Sequence, residues 1–512
     1  MKNRMWKLSI AATICLLFSS FAKADLAGQV DQIIRQDSQK TVEFSIHIME
    51  AGSGRSIYSH DASRPMVPAS NMKVITGATA LRYLGAEYEF KTQVGLCPAP
   101  QGGESLVIIG SGDPLLGDKA TDAKYGRRPD SASSPQAGST HSTSSGQASS
   151  PQAGWIFEDI SAALKAGGTT SIKDIIVDSS IFDDERVHPN WPKEELNRWY
   201  ACEVCGVNYN NNCIELTVQS KGGVTTVLAE PETAFVTIVN EVQATSGDKS
   251  AVGAHRSPVP NNIIVKGRCN GQEGPISVAI ERPAAFFGFL LAENLKRAGI
   301  AVQGQLVERI APQDCKMKIL KEYRTSMADC LSRCNKNSLG LAAEALVKTM
   351  GAKSLGGLPP RLASRDAEAG KNGSWQAGRE IMRRYLLELG IEESEFFIDD
   401  GSGLSRENRL SARAITAVLN DVYKSENWQI YKDSLAVGGV DGTMSRYFKE
   451  EKYKGKVFGK TGYIGRVRSL SGVCCTDEGD YIFSILANNA NGKTRPALNK
   501  IAEALIDNYA AR

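Results

Sequence analysis

The chain has 512 residues, a length that suits about two to four domains and more than one hydrophobic core. Hydrophobic residues make up 42% and charged residues 23%, the balance of an ordinary globular protein. Lys and Arg number 60 against 57 Asp and Glu, so the net charge of +3 excludes a strongly basic nucleic-acid binder and an acidic disordered chain. All five histidines lie in the first half of the chain, which excludes a catalytic histidine in the second half.

The N-terminus has the pattern of a secretory signal. Basic residues precede an apolar stretch, from residue 8 to about residue 18, that is too short for a stable membrane span. Ala22 and Ala24 are the small residues that a signal peptidase accepts, so we predict a signal peptide over residues 1–24; an uncleaved anchor is the alternative. No other apolar run approaches membrane length, so we expect a periplasmic or otherwise extracytoplasmic mature chain with no transmembrane anchor.

Ten cysteines remain once the one in the apolar N-terminal stretch is removed. An even number in an exported chain permits disulfides. Cys202 and Cys205 form a C-x-x-C pair with Cys213 nearby, but a fourth zinc ligand is lacking, so disulfides or buried thiols are favoured over a metal site. The neighbours Cys474 and Cys475 fall in a predicted strand and point to opposite faces, so we expect two free or separately paired thiols.

Hydrophobic periodicity predicts helices and strands at both ends of the chain. In chain order, we predict strands over 42–48 and 56–59, a buried helix over 68–84, helices over 284–298, 338–350 and 374–389, paired strands over 467–475 and 481–488, and a last helix over 496–509. From about residue 94 the pattern changes to short strands and turns. We therefore predict one domain, formed by residues 25–93 and 278–512, that is split by an insertion over residues 94–277.

A low-complexity segment lies within the predicted insertion. Between residues 126 and 154 the composition is nearly reduced to Ser, Gly, Pro, Ala, Gln and Thr, and one heptapeptide occurs twice, at Ala132–Gly138 and Ala148–Gly154. Such a segment buries too little apolar surface to offset the entropy of ordering it. We predict a disordered surface segment; a cell-wall tether is an alternative for which the residues supply no chemistry.

Two short motifs carry the candidate chemistry. Ser70 and Lys73 stand three positions apart at the start of a predicted helix, so they share a face and the amine can reach the hydroxyl. A serine is a weak nucleophile until a base takes its proton, and a lysine can be that base when burial or a second cation lowers its pKa. Downstream, Lys460 and Thr461 of Lys460–Gly462 suit a substrate carboxylate. Each motif alone is weak, but together they are typical of penicillin-recognising serine enzymes.

With these motifs, the chain resembles the D-alanyl-D-alanine carboxypeptidase/endopeptidase family, the class C type-4 low-molecular-mass penicillin-binding proteins. The resemblance covers nearly the whole mature chain apart from the low-complexity segment. Five stretches carry it, in the order that the family has: Tyr58–Lys73, Gly110–Leu115, Asp400–Arg406, Gly439–Thr443 and Gly459–Gly462. It implies an α/β (α+β) fold, in which a transpeptidase-like domain has a mostly antiparallel sheet covered by helices and carries β-rich inserted domains.

The resemblance also implies a role for each matching residue. Ser70 would be the acyl-ester nucleophile, Lys73 its proton acceptor, and Ser338 a relay of protons toward the leaving amine. The Lys460–Gly462 segment would bind the substrate, with its first two residues holding the terminal carboxylate. The backbone amides of Ser70 and Tyr463 would form the oxyanion hole. No metal, cofactor or nucleic acid is implied; the expected partners are peptidoglycan stem peptides and cross-links, with β-lactams as covalent inhibitors.

One position departs from the family. Its middle motif is Ser-x-Asn, and here Ser338 is followed by Leu339 and Gly340, so a side-chain amide that should contact the substrate is missing. We expect a working but slower enzyme, with water or Asn337 partly filling the space. We also expect Gly340→Asn to speed acylation unless the backbone at this position disfavours asparagine.

The sequence thus predicts an exported serine DD-peptidase that cleaves peptidoglycan stem peptides or cross-links through an acyl-enzyme. A serine β-lactamase shares two of the motifs, but the large insertion and the Asp400–Arg406 segment argue against it. A non-catalytic wall-binding protein, decayed at Gly340, is a further alternative. A Ser-His-Asp hydrolase is disfavoured because no histidine lies near the C-terminal motifs.

Overall fold

A computed structural model describes residues 25–126, 154–247, 249–312, 314–354 and 373–510. The predicted signal peptide, residues 1–24, and residues 127–153 of the predicted disordered segment lie outside these ranges. Within them, no helix is both long and apolar enough to cross a membrane.

Helices and strands run through the whole described chain. In chain order the helices are α1 (Leu26–Ile34), α2 (Met72–Leu84), α3 (Lys119–Tyr125), α4 (Trp155–Ala166), α5 (Pro283–Arg297), α6 (Met327–Lys336), α7 (Gly340–Ser354), α8 (Trp375–Glu388), α9 (Ala412–Lys424), α10 (Trp428–Ser434) and α11 (Thr494–Asn508). The strands are β1 (Glu43–Glu50), β2 (Ser56–His60), β3 (Glu89–Pro98), β4 (Glu104–Ile109), β5 (Ser171–Ile172), β6 (Ile175–Asp178), β7 (Cys213–Lys221), β8 (Val224–Glu230), β9 (Thr237–Ala244), β10 (Ala251–Arg256), β11 (Asn262–Cys269), β12 (Gln272–Ala279), β13 (Ala301–Val302), β14 (Leu306–Glu308), β15 (Lys318–Ser326), β16 (Phe396–Phe397), β17 (Arg409–Leu410), β18 (Ala436–Val437), β19 (Val457–Ile464), β20 (Val467–Thr476) and β21 (Gly479–Asn488).

A six-stranded sheet joins the two ends of the chain. Its strand order is β18-β19-β20-β21-β1-β2, and every neighbouring pair is antiparallel. Successive side chains of a strand point to opposite faces, so Ile485 packs with α1 and α11 whereas Leu486 packs with α2 and α6–α9. The predicted antiparallel sheet covered by helices is confirmed.

The helix that carries the candidate nucleophile is buried, as predicted. A 3₁₀ turn over Ala69–Asn71 leads into α2, which is buried on every face from its start to Leu81. The helix ends at Gly85, whose φ of +89° is a left-handed conformation that glycine adopts without strain.

The start of the predicted helix over 338–350 is wrong. Ser338 has a φ of +62°, which a right-handed helix cannot contain, and α7 begins two residues later at Gly340. Ser338 therefore lies in the short connection between α6 and α7. A left-handed serine is rare, and the hydrophobic pattern gave no sign of it.

The inserted region has sheets of its own. One has the order β14-β6-β4-β3-β15, and two three-stranded sheets have the orders β12-β7-β8 and β10-β11-β9. Since β3 pairs with β15, and α5 packs into the core beneath these sheets, we propose that the insertion spans residues 89–326 rather than 94–277.

The cysteines divide into one disulfide and a set of thiols. Cys97, on β3, is bonded to Cys315, which precedes the paired strand β15. Cys202, Cys205 and Cys213 are buried free thiols. The neighbours on β20 are both free as well: Cys474 is buried and the next residue is half-buried, as expected for side chains on opposite faces of a strand.

Candidate active site

The candidate nucleophile stands on a tight turn at the start of α2. Ala69 has a φ of +47°, an uncommon conformation for a residue other than glycine, and Ser70 follows it on the 3₁₀ turn. One helical turn later, the Nζ atom of Lys73 lies 3.3 Å from the Oγ atom of Ser70. Lys73 is only 2% exposed, whereas Ser70 is half-buried. The predicted hydroxyl–amine pair is therefore formed in the folded chain.

A second lysine faces this pair from β19. Lys460 is fully buried, and its Nζ atom donates to Ser338 Oγ at 2.8 Å and to the carbonyl oxygen of Thr461 at 2.9 Å. The Thr461 hydroxyl lies 2.8 Å from that of Thr443, which belongs to the Gly439–Thr443 stretch. Two motifs that are 122 residues apart in the chain thus meet at one pair of side chains.

Glycine at position 462 lets β19 lie against the turn before the serine. A Cβ atom there would lie 2.0 Å from Ser469 Oγ and 2.9 Å from the carbonyl oxygen of Pro68. Ser469 Oγ itself donates to that carbonyl at 2.7 Å. The next residue, Tyr463, is 68% exposed, and the guanidinium of Arg468 lies 3.8 Å from the centre of its ring.

Asn71 fixes the position of the nucleophile turn relative to β19, a role that was not predicted for it. Its Nδ2 donates to the carbonyl oxygen of Lys460 at 2.9 Å, and its Oδ1 accepts from the hydroxyl of Ser471 on β20. The signal that could have identified it is a polar side chain at the start of a helix predicted to be buried. A buried amide needs hydrogen-bond partners, and Asn71 is fully buried.

Burial sets the proton affinity of both lysines. It lowers the pKa of Lys73, while Cys334, Glu344 and Asp400 act against that shift. Burial and the neighbouring Lys73 hold the pKa of Lys460 well below its usual range. A lowered pKa increases the neutral fraction of a lysine, which is the form that can accept the serine proton, so the direction of the shift suits Lys73 to be the base.

The loop Asp400–Arg406 packs against Lys73. Lys73 Nζ donates to the carbonyl oxygen of Ser402 at 2.7 Å. The carboxylate of Glu344 on α7 accepts from the backbone amides of Gly401 at 2.9 Å and Ser402 at 2.7 Å. Burial and the nearby Asp400 raise the pKa of Glu344 to about 7. Motif matching located the loop but did not predict its contact with the lysine.

The space beside Gly340 is not open. A Cβ atom at this position would lie 2.6 Å from the carbonyl oxygen of Tyr200, in a 3₁₀ turn of the inserted region. The expectation that water or Asn337 partly fills the space of the missing amide stays a prediction, but the backbone of the inserted region already lies where a Cβ atom would stand.

Comparison with known proteins identifies the family. The family described as D-Ala-D-Ala carboxypeptidase 3 (S13) matches residues 26–510. The chain belongs to this family. It is 26% identical to a D-alanyl-D-alanine carboxypeptidase of Actinomadura sp. (strain R39), over 97% of this chain and 88% of that protein. It is 22% identical to the D-alanyl-D-alanine carboxypeptidase DacB of Haemophilus influenzae, over 83% of this chain and 81% of the relative.

A solved structure has the same fold. The crystal structure of penicillin binding protein 4 from Haemophilus influenzae superimposes with a TM-score of 0.72, covering 94% of this chain and 99% of that one at 20% sequence identity. The agreement extends over nearly the full length of both chains, so the inserted sheets belong to the shared fold along with the central sheet.

Proposed function

We propose that this member of the S13 family is an exported serine DD-peptidase acting on D-Ala-D-Ala stem peptides and peptide cross-links of peptidoglycan. One observation carries the proposal: the hydroxyl of Ser70 lies 3.3 Å from the amine of the buried Lys73, and Lys460, which is close enough for Lys73 to lower its pKa, donates to Ser338. The names of the relatives, D-alanyl-D-alanine carboxypeptidases, supply the substrate class. The signal pattern over residues 1–24 supports export to the compartment where peptidoglycan lies.

Acylation begins when neutral Lys73 takes the proton of Ser70. The Oγ atom then bonds to the carbonyl carbon of the penultimate D-alanine, and the carbonyl oxygen becomes an oxyanion between the backbone amides of Ser70 and Tyr463. Preorganised donors of this kind contribute roughly 3–4 kcal/mol each to the transition state. The lowered pKa of Lys73 favours the neutral amine, which is the form that accepts this proton.

The leaving step breaks the bond between that carbonyl carbon and the nitrogen of the terminal D-alanine. The nitrogen receives the proton that Lys73 removed, passed on through the hydroxyl of Ser338. Lys460 and Thr461 hold the terminal carboxylate meanwhile, because a carboxylate accepts hydrogen bonds from the buried amine and from the threonine hydroxyl. Water then hydrolyses the Ser70 ester by the same proton transfers in reverse, which restores the enzyme.

β-Lactams are expected to acylate the same serine. A β-lactam carries a carboxylate and a strained amide that Ser70 can open, and its amine does not diffuse away as D-alanine does. A long-lived acyl-enzyme favours the peptidase, whereas rapid hydrolysis of that ester favours the β-lactamase alternative. The wall-binding alternative requires a decayed site, and the contacts among Ser70, Lys73, Ser338 and Lys460 argue against decay.

The test is covalent labelling of the purified mature chain with fluorescent penicillin, followed by mass spectrometry. We expect one adduct, on the peptide that contains Ser70, and release of D-alanine from a stem pentapeptide. Ser70→Ala should abolish both, whereas the control Ser63→Ala, at an exposed serine of the same region, should change neither. Labelling that persists in Ser70→Ala would contradict the assignment.

A further inference from the structure

Lys73 has a second partner that its motif does not assign. Its Nζ atom lies 2.7 Å from the carbonyl oxygen of Ser402, closer than the 3.3 Å that separates it from Ser70 Oγ. One N–H group of the amine is therefore held in a hydrogen bond to a backbone carbonyl. When Lys73 is neutral, this bond leaves the nitrogen lone pair free to face the serine proton.

A carboxylate lies at the other end of the same peptide group. The Ser402–Gly403 peptide presents its carbonyl oxygen to Lys73, and its N–H donates to Asp400 Oδ1 at 2.7 Å. Because the dipole of a peptide group runs from N–H to C=O, a negative charge at the N–H end strengthens the carbonyl as an acceptor. Asp400 and Lys73 are thus linked through one peptide.

The surroundings of Asp400 supply it with hydrogen-bond donors. It is fully buried, and four further donors point at its oxygens: the amide of Ser405 at 2.7 Å, Asn408 Nδ2 at 2.7 Å, Trp191 Nε1 at 2.8 Å and the Ser402 hydroxyl at 3.5 Å. An ionised carboxyl only accepts hydrogen bonds, so this set of partners matches the charged form. Trp191 comes from the inserted region, which therefore holds Asp400 from outside the loop.

Gly403 brings this peptide against the nucleophile turn. Its φ is +81°, and a Cβ atom would lie 1.8 Å from the carbonyl oxygen of Ala69. A residue with a side chain would push the loop away from the turn that carries Ser70. The absence of a side chain thus allows the carbonyl of Ser402 to reach Lys73.

We propose that Asp400 is a positioning residue that orients and polarises the Ser402–Gly403 peptide, so that its carbonyl holds the amine of Lys73 toward Ser70. This inference rests on the proposed function, in which Lys73 is the base. Titratable groups face Lys73 from each packed element: Cys334 on α6, Glu344 on α7, Asp400 on the loop and Lys460 on β19. Of these, only Asp400 acts through the peptide that Lys73 contacts.

The test compares Asp400→Asn with Asp399→Asn in the pH dependence of penicillin acylation. Asp399 is the matched control because it is the adjacent buried carboxylate of the same loop, and its partners Arg379, Asn190 and Ser405 do not include that peptide. The rate constant of acylation by fluorescent penicillin is measured from about pH 5.5 to 9, on protein whose folding is checked by thermal unfolding.

Asp400→Asn should lower the plateau rate roughly tenfold or more, because the amine loses its orientation. In the plot of rate against pH, the rising limb is the range in which the rate increases as Lys73 loses its proton. This limb should move to lower pH by about half a unit or more, because the ammonium loses a stabilising negative charge. A purely structural role would reduce stability without moving this limb. Asp399→Asn should keep the limb of the wild type, and an unmoved limb in folded Asp400→Asn overturns the proposal.

Asp400→Glu covers the case in which Asp400→Asn does not fold. It retains the charge but moves the carboxylate by one methylene, so we expect a limb close to that of the wild type and a plateau rate lower by roughly fivefold or more. Asp399→Glu is its control and should keep the wild-type rate. A wild-type rate in Asp400→Glu overturns the proposal. Failure of the wild type itself to acylate would overturn the proposed function, and this inference with it.

Discussion

Gly340 lies at the first position of α7, where the carbonyl oxygen of Tyr200 leaves no room for a side chain. Motif comparison treats this glycine as the loss of an amide that contacts the substrate. The structure gives it a packing role, since a Cβ atom would lie 2.6 Å from that oxygen. The inserted region and α7 approach each other closely because this residue has no side chain.

We therefore expect Gly340→Asn to slow acylation and to destabilise the protein, the reverse of the result expected from the motif. A contact this short forces backbone to move, and overpacking of this kind costs about 1–3 kcal/mol. Thermal unfolding and the rate of acylation by fluorescent penicillin measure both effects. Gly492→Asn is the control, since a Cβ atom at Gly492 meets nothing within 4 Å. Faster acylation by Gly340→Asn would restore the missing-amide explanation.

His47 makes stability depend on pH. Its Nδ1 lies 2.6 Å from Thr416 Oγ1, and burial together with Arg413 lowers its pKa from 6.5. Below pH 6.5 the imidazole of His47 binds a proton more readily in the unfolded chain than in the folded chain. The free energy of unfolding therefore falls as the pH falls from about 6.5 toward the folded pKa, and it is unaffected above that window.

We expect His47→Gln to reduce the stability difference between pH 7.5 and pH 5.5, because the variant no longer has this titration. Chemical unfolding at both pH values measures the difference. His255→Gln, at an exposed histidine of the inserted region, should leave the difference as in the wild type. An unchanged difference in His47→Gln would contradict the assignment.

At the scale of elements, α3 and α4 lie on either side of the low-complexity segment and are joined to each other. The indole N–H of Trp155, at the start of α4, donates to Asp122 of α3 at 2.8 Å. The Nζ atom of Lys124 donates to Asp329 on α6 at 2.6 Å, so α3 is also anchored to a helix that packs around α2. The two ends of the segment are therefore held in place by contacts outside it.

Replacing residues 127–153 by a short Gly-Ser linker should leave acylation within about twofold of the wild type, because a change in loop length alters closure entropy by only about 0.6 kcal/mol per doubling. The rate of penicillin acylation and the thermal unfolding temperature are the measurements. A matched variant that also carries Trp155→Phe, which removes the link to Asp122, should lose stability. Loss of acylation in the folded linker variant would show that the segment contributes to the site.

At the scale of the whole molecule, Lys348 on α7 ties the inserted region to the helices around α2. Its side chain is fully buried, its Nζ atom lies 2.6 Å from Asp183 Oδ1, and it lies 4.0 Å from the centre of the Trp375 ring. Burial lowers the pKa of Lys348, while Asp183 favours its charged form. The side chain of Asp183 is 32% exposed, so water can solvate this carboxylate but cannot reach the amine of Lys348.

We expect Asp183→Ala to cost more stability than Lys348→Met. The first leaves a buried cation without its partner, at a cost of about 3 kcal/mol, whereas the second leaves a carboxylate that water can solvate. Chemical unfolding of both variants and of the double variant measures the difference. The double variant should resemble Lys348→Met, since no unpaired buried charge remains in it. Equal losses in the two single variants would contradict this account.

Much of the site could be predicted from short motifs, because catalytic chemistry restricts residue types and their local spacing. Ser70 and Lys73 share a face by helical geometry alone. Asn71, Glu344 and the contact between Lys73 and Ser402 could not be predicted in this way. Each of these depends on how separate elements pack, across 57 positions for the bond of Glu344 to Gly401 and across 329 positions for the 2.7 Å bond from Lys73 to Ser402.

Local patterns in the chain were enough to predict the buried nucleophile helix, the paired C-terminal strands and the order of the motifs, because hydrophobic period and local residue chemistry act over a few positions. Three features became apparent only in the folded chain: the left-handed backbone of Ser338, the packing of Gly340 against Tyr200, and the peptide group that links Asp400 to Lys73. These features depend on differences of a few tenths of an ångström in the distances between segments that are far apart in the chain. Such distances are fixed when close-packed elements settle against one another, and no local pattern encodes them.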